Sequence, residues 1–473
     1  MREDGQFDSH ESHIIVATSR KVAYGVGSAG MNLTESLVNS FVLTFYPVIL
    51  KANPALIGAV LFAPRVFDAV TDPIFGQISD RTRSRWGRRR PYLLFGAPLL
   101  GLFTWLMFTP PSGASQTTLA AYVLIVGMLY YAVYAVVYVA YTALGAELSI
   151  DYHERTRVQA WRTAMYFIGS LLGGLTWKLA QLDVFPNERV GVMWVTGVFA
   201  VFVTVSVWYT FWGTREEKEL QGRGSLSVRS AFAATLSNKP FLVLSIVVFV
   251  LLIQLFGGFS LMNYVNIYYV CGGDHDKASS YVALSSICLF PGALLGALFW
   301  AWMAIQFGKR ESLVLTLGFL AVLAPLTWVL FTPRHPALQL VCQFLMGFTT
   351  GSLNVIPNTM VADICDVDEF TTGYRREGAY NGILALMIKG GFAGTFFVTG
   401  LLLKLSGFQE ALDIQTPETI TRMRILLVVV PLVLGMIIVV VSRFYSLQEA
   451  TVRQIRNVLE QRRAALPDHE HQE

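Results

Sequence analysis

Charge is scarce in this chain. Asp, Glu, Lys and Arg make up 14% of its 473 residues, against 54% hydrophobic, and mean hydropathy is +0.51. That composition is too apolar for a soluble enzyme. Cysteine and histidine are also few, at 4 and 7. Cys271, Cys288, Cys342 and Cys365 have no metal-ligand spacing and lie in or beside apolar runs, so they read as small unpaired thiols. Most histidines fall in tails or loops. With no Ser/His/Asp arrangement, metal cluster or nucleotide-binding loop, no enzymatic activity and no resident cofactor are expected. The first 20 residues are polar, without the short apolar core and small-residue cleavage site of a signal peptide, so no cleaved leader is expected. The net charge of +4 is modest, and no nucleic-acid partner is expected.

What the chain has in quantity is long apolar runs. Each is about 20 residues or more, enough to cross ~30 Å of hydrocarbon as a helix. Hydropathy and turn signals divide them into twelve spans. The first six cover 22–50, 54–80, 91–109, 117–148, 157–182 and 190–212; the second six cover 239–270, 278–306, 311–331, 337–364, 377–405 and 422–446. The fold expected is an all-α polytopic membrane protein with two pseudo-symmetric halves of six helices. Around those halves, at 22–212 and 239–446, the sequence suggests a tail at 1–21, a solvated linker at 213–238 and a second tail at 447–473. That last tail holds an amphipathic stretch, EATVRQIRNVLEQRR, suited to the membrane surface. The even-numbered connections carry most of the Lys and Arg, with Arg81, Arg83, Arg85, Arg88, Arg89 and Arg90 in the first. The positive-inside rule then places both termini in the cytoplasm; the location expected is the cell's inner (plasma) membrane. The halves echo one another: ELSIDYHERTRVQAWR after span four is matched by ADICDVDEFTTGYRREGAY after span ten.

The scarce intramembrane charges stand out against this background, because a charge stranded in a bilayer costs at least ~2.5–3.5 kcal/mol. Arg65, Asp68 and Asp72 are three and four residues apart on span two, so they form one stripe. Two carboxylates so close need a bound cation, a shared proton or a basic partner. Thr71, and the Ala69 carbonyl that Pro73 deprives of its helical donor, add oxygen ligands at that level. Hard cations take such ligands. The stripe therefore reads as a coupling-ion site for Na⁺ or H⁺, with a purely bracing salt-bridge cluster as the alternative. Span one offers a second stripe, Asn32, Glu35 and Asn39, facing a wet cavity. Span four presents Tyr131, Tyr134, Tyr138 and Tyr141, followed by Thr142. Lys389 is a lone cation in span eleven and needs an acid from Glu35, Asp68 or Asp72. Glu147 and Asp363 occupy matching inner ends of spans four and ten. With Asp80 and the arginines from Arg81 onward, they read as gating ion pairs.

These residues bring a family into view. GQISDR, ending at Arg81 and followed by Arg88 and Arg89, resembles the loop motif of the major facilitator superfamily. The strings RVFDAVTDPIFGQISDRTRSRWGRRRPY, ELSIDYHERTRVQAWR and ADICDVDEFTTGYRREGAY resemble the glycoside–pentoside–hexuronide:cation symporters over nearly the whole chain. The resemblance implies that Asp68, Asp72 and Thr71 belong to the cation site, and that Arg65 and Lys389 are the intramembrane basic residues. It also implies that Arg162, after the ERT element, is a substrate-site arginine. Where a sugar-binding member carries aspartates on helices one and four, this chain has Asn32 and Tyr138; Ala135 replaces a hydroxyl residue, and Asn354 a tryptophan. The expected substrate set is Asn32, Glu35, Tyr138, Thr142, Arg162, Asn354 and Lys389. The implied function is alternating-access symport of a sugar, glycoside or hexuronide with Na⁺ or H⁺ by a monomer in a lipid bilayer. A lysophospholipid or other amphipathic solute is the alternative. A non-transporting sensor would tolerate loss of the span-two carboxylates, and both are present.

Overall fold

The computed structural model describes residues 16–149, 151–216, 235, 237–374, 376–447 and 449–465. Six helices build the first half: α1 (Thr18–Ser36), α2 (Pro54–Arg81), α3 (Arg90–Met107), α4 (Gln116–Glu147), α5 (Tyr152–Ala180) and α6 (Glu188–Gly213). Six more build the second: α7 (Lys239–Val265), α8 (His275–Phe307), α9 (Lys309–Leu330), α10 (Leu338–Thr372), α11 (Glu377–Ser406) and α12 (Pro417–Ser442). A thirteenth, α13 (Glu449–Ala465), follows. Nine of these helices, among the described residues, are long and apolar enough to cross a membrane. Most of the linker, the first 15 residues and the last eight lie outside the described residues.

The helices begin where their caps dictate. Asn53 accepts from the backbone N–H groups of Ala55 and Leu56, ahead of Pro54, to start α2. Ser115, Asp151, Asn187, Asn238, Asp274 and Thr416 do the same for α4, α5, α6, α7, α8 and α12. Each such cap contributes about 1 kcal/mol. The caps explain where the helices depart from hydropathy. α5 starts at Tyr152 rather than 157 because Asp151 caps a polar first turn. α12 starts at Pro417 rather than 422 because Thr416 caps it. α10 runs on to Thr372, past the expected end at 364, until Gly373 takes up a left-handed conformation.

Packing repeats between the halves. In the first half α1 lies on α5 and α6, α2 on α4, and α3 on α4 and α6. In the second, α7 lies on α11 and α12, α8 on α10, and α9 on α10 and α12. Even the irregularities recur. α1 passes through π-turns at Leu37–Phe41 and Phe45–Ile49, and α7 ends in one at Asn266–Val270, 221 residues after the second of these. The halves meet along two crossings, α2 with α11 and α5 with α8. At the first, an added Cβ on Gly58 would strike the Phe396 carbonyl, and one on Gly400 would meet the Pro54 carbonyl. Glycine is what lets the two backbones close there.

The crossings are tight at one end only. At the end opposite the basic 81–90 loop, Lys51 pairs with Asp413 at 2.5 Å, Lys178 with Asp276 at 2.5 Å, and His275 with Glu188 at 3.1 Å. Gln181 accepts from Ser279, and the Leu43 carbonyl accepts from Tyr264. Every one of these bonds joins the two halves. Lys51 holds the Asp413 carboxyl below its usual range. At the basic-loop end, among the described residues, the ion pairs stay within a half, and α4 does not pack on α10. The molecule is a V, shut at one end and open toward the basic loop.

Candidate functional site

Between the halves, mid-length on α2, lies a chain of four ion pairs. Arg65 reaches Glu35 of α1 at 3.1 Å and Asp68 at 3.2 Å. Lys389 of α11 reaches Asp68 at 2.8 Å and Asp72 at 2.6 Å. Arg65 is 1% exposed and Asp68 0%, so both charges are dry. The Tyr131 and Phe392 rings lie against the guanidinium, 5.1 and 5.3 Å from centroid to Cζ. Removing one partner from such a buried network costs about 3–5 kcal/mol, because a charge is left alone. Asp72 differs from its neighbours. Its side chain is 22% exposed, and its Oδ1 is buried without a hydrogen-bond partner.

Three sequence expectations meet here. The Arg65, Asp68 and Asp72 stripe faces inward together, and Lys389 finds its acids across the interface in Asp68 and Asp72. Thr71 donates to the Phe67 and Asp68 carbonyls of its own helix at 2.9 and 3.3 Å. The Pro73 side chain is outside the described residues. Glu35, expected among substrate contacts, is tied to Arg65, to the Tyr134 hydroxyl at 3.0 Å and to Asn39 at 3.4 Å. Those three partners make it part of the ion network.

A second cluster lies further toward the open end, on α1, α4 and α5. Arg162 sits beside Tyr24, Tyr138 and Tyr141 and donates to Gln159 at 3.1 Å. Tyr138 links the clusters, since its ring also lies 5.9 Å from the Lys389 ammonium. Asn32 has a buried Oδ1 without a partner, and its side chain neighbours Tyr166. Tyr166 and Gln159 were not singled out from the sequence. Their signal is helical spacing, since they stand four after and three before Arg162. Thr142, also in the expected substrate set, has its hydroxyl donating to the Tyr138 and Val139 carbonyls at 2.9 and 3.1 Å. The Asn354 side chain lies outside the described residues.

The gating residues pair inside the halves. Glu147 accepts from Arg88 at 2.8 Å and Arg89 at 3.0 Å, and Asp80 accepts from Arg89 at 3.1 Å. In the matching place, Asp363 takes Lys309 at 2.6 Å and Arg456 of α13 at 3.1 Å. Arg81, the last residue of α2, is exposed. Glu216 accepts from the backbone N–H groups of Arg88, Arg89 and Arg90 at 2.7, 2.7 and 3.1 Å, folding the basic loop around one carboxylate. None of these pairs bridges the cleft.

Two six-helix halves, a charged centre and a cleft open at one end describe a transporter, and the comparison with known proteins agrees. Residues 23–449 match the family described as MFS/sugar transport protein. The chain belongs to this family. The uncharacterized symporter YnaJ of Bacillus subtilis (strain 168) is 28% identical over 461 residues, covering 96% of this chain and 97% of that one. The isoprimeverose transporter of Lactiplantibacillus pentosus is 25% identical over 462 residues, covering 95% and 93%. Among solved structures, the nucleoside transporter NupG superposes with a TM-score of 0.63 at 15% identity, covering 91% of this chain and 100% of that one; this likeness is one of fold. As a member of the MFS/sugar transport family, the chain is a multi-pass membrane protein and a secondary active symporter.

Proposed function

We propose that the protein imports a sugar, glycoside or hexuronide with Na⁺ or H⁺ through the cell's plasma membrane. On this reading it works as a monomer with both termini in the cytoplasm. The observation that carries the coupling is Lys389 of the second half seated on Asp68 and Asp72 of the first. Its ammonium takes the place a coupling cation would take. With the basic loop cytoplasmic, the V is open inward, and in this conformation Lys389 competes with the ion. Cation affinity is then low where the ion must leave. When the halves rock and Lys389 withdraws, Asp72 Oδ1, Asp68 and the oxygens near Thr71 become available. An ion shifts the equilibrium only by its differential affinity for the two conformations, and the Lys389 contact is a physical source of that difference. The isoprimeverose transporter among the relatives supports a sugar-type solute.

The test is uptake into proteoliposomes across a panel of sugars, glycosides and uronides, each with and without an inward Na⁺ or H⁺ gradient. At least one solute should accumulate above equilibrium only when a gradient is present. Uptake of the whole panel that merely equilibrates contradicts symport.

A further inference from the structure

Outside the cleft, at the shut end of the molecule, Arg424 of α12 is held by aromatic rings and not by an acid. Its Cζ stands 3.9 Å from the Trp328 ring centroid and 4.1 Å from that of Tyr269. Its Nη2 donates to the Trp328 carbonyl at 2.8 Å, and its Nε is buried without a hydrogen-bond partner. Trp328 lies in the last turn of α9, and Tyr269 in the π-turn that ends α7. α12 packs on both of those helices, so three elements converge on one guanidinium. Among the described residues no Asp or Glu pairs with it, whereas Arg422, two residues earlier, is neutralised by Glu418 at 2.5 Å.

The sequence of α12 sets the depth of this cation. From Ile425 to Val441 the helix carries no charge, and Ile425, Val429 and Val433 are exposed on its outer face. Arg424 therefore stands where the hydrocarbon begins. Lipid phosphates lie at that level, and it is the level that Trp and Tyr side chains favour. Trp328 and Val329, both exposed, carry the same apolar surface onto α9. An unpaired charge beside lipid is unfavourable, and ring faces compensate it only in part. What completes the guanidinium is an oxyanion that takes two N–H donors at once, as a phosphate does.

We propose that Arg424, Trp328 and Tyr269 form a binding site for an anionic phospholipid. Its phosphate accepts from the Arg424 Nη donors, and its acyl chains lie along the exposed faces of α9 and α12. With the basic loop cytoplasmic, the site belongs to the outer leaflet. A zwitterionic headgroup brings a cation of its own and leaves the Arg424 charge unbalanced; a net-negative headgroup cancels it.

Native mass spectrometry of the detergent-purified protein, titrated with phosphatidylglycerol, phosphatidylcholine or inorganic phosphate, tests the proposal. The native protein should hold phosphatidylglycerol about fivefold more tightly than phosphatidylcholine, the worth of one arginine against one net lipid charge. Arg424→Gln should lose one tightly held phosphatidylglycerol, and Arg424→Lys should keep part of that binding. Arg422→Gln, the neighbouring control, should leave the count unchanged. Lipid held by the basic 81–90 loop is common to every variant and cancels in the comparison. Equal affinity for the two lipids in the native protein overturns the proposal, as does an undiminished count in Arg424→Gln. Displacement of the lipid by inorganic phosphate also overturns it, since acyl chains would then contribute nothing. The headgroup comparison needs only the native protein, so misfolding of a variant leaves the proposal open to refutation.

Discussion

Lys389 is the residue on which the account turns. Among the described residues, it alone carries charge from the second half to the carboxylates of α2 at mid-depth, and its ammonium stands where a coupling ion would. Lys389→Gln should therefore raise the apparent affinity for the coupling cation by about tenfold, within the usual range of coupling energies, and slow net turnover. Cation-dependent protection of the protein against thermal unfolding measures the first, and exchange rates measure the second. Unchanged cation affinity would remove Lys389 from the competition. Much of this was legible in sequence. Arg65, Asp68 and Asp72 share a helical stripe, and charge in an apolar run is expensive enough to announce itself. Which acid serves which base was not legible. The Glu35–Arg65 pair appears only when α1 is folded against α2, and the bonds of the Thr142 hydroxyl to its own helix carbonyls appear only with its rotamer. Such details depend on tertiary placement and on rotamers that a spacing rule does not carry.

At the scale of helices, the far end of the molecule closes because α2 and α11 can touch. Gly58 and Gly400 remove the side chains that would hold them apart, and polar pairs on the adjoining loops then engage. Those pairs are individually weak: Lys51–Asp413 is largely exposed, so solvent screens it. Its sign is set by Asp413, whose carboxyl lies below the ordinary range, so the contribution is present at neutral pH and fades as the pH falls through that lowered value. Backbone proximity, more than charge, keeps the end shut. Gly400→Leu should hold it ajar. Ser279→Cys, placed in the closed interface against Gln181, should then be alkylated from that side several-fold faster than in a protein with Gly400 intact. Equal protection would show that the glycine crossing does not govern closure. Helix ends were read from hydropathy to within a few residues where a cap and the apolar edge coincide, as at Asn53 and Asn238. They were missed where polar turns extend a helix into water, as in α10 beyond 364.

Taken whole, the molecule is two copies of one six-helix plan, joined at α2–α11 and α5–α8. The repeat was visible in the matched motifs after spans four and ten. The conformation was not, because one sequence must permit both ends to close, and no residue pattern says which end is shut. The ion pairs at Glu147 and Asp363 illustrate this. The sequence marks them as gates, whereas the open cleft leaves each paired within its own half. Central to the account is that the Asp68–Asp72 site converts a cation gradient into solute accumulation. The direct measurement is the steady-state accumulation ratio in proteoliposomes for the native protein and Asp72→Asn, under the same inward cation gradient. Counterflow of labelled solute at zero gradient serves as the control for folding. The account predicts that Asp72→Asn keeps counterflow and loses accumulation, its ratio falling to that of simple equilibration. An accumulation ratio equal to that of the native protein contradicts it.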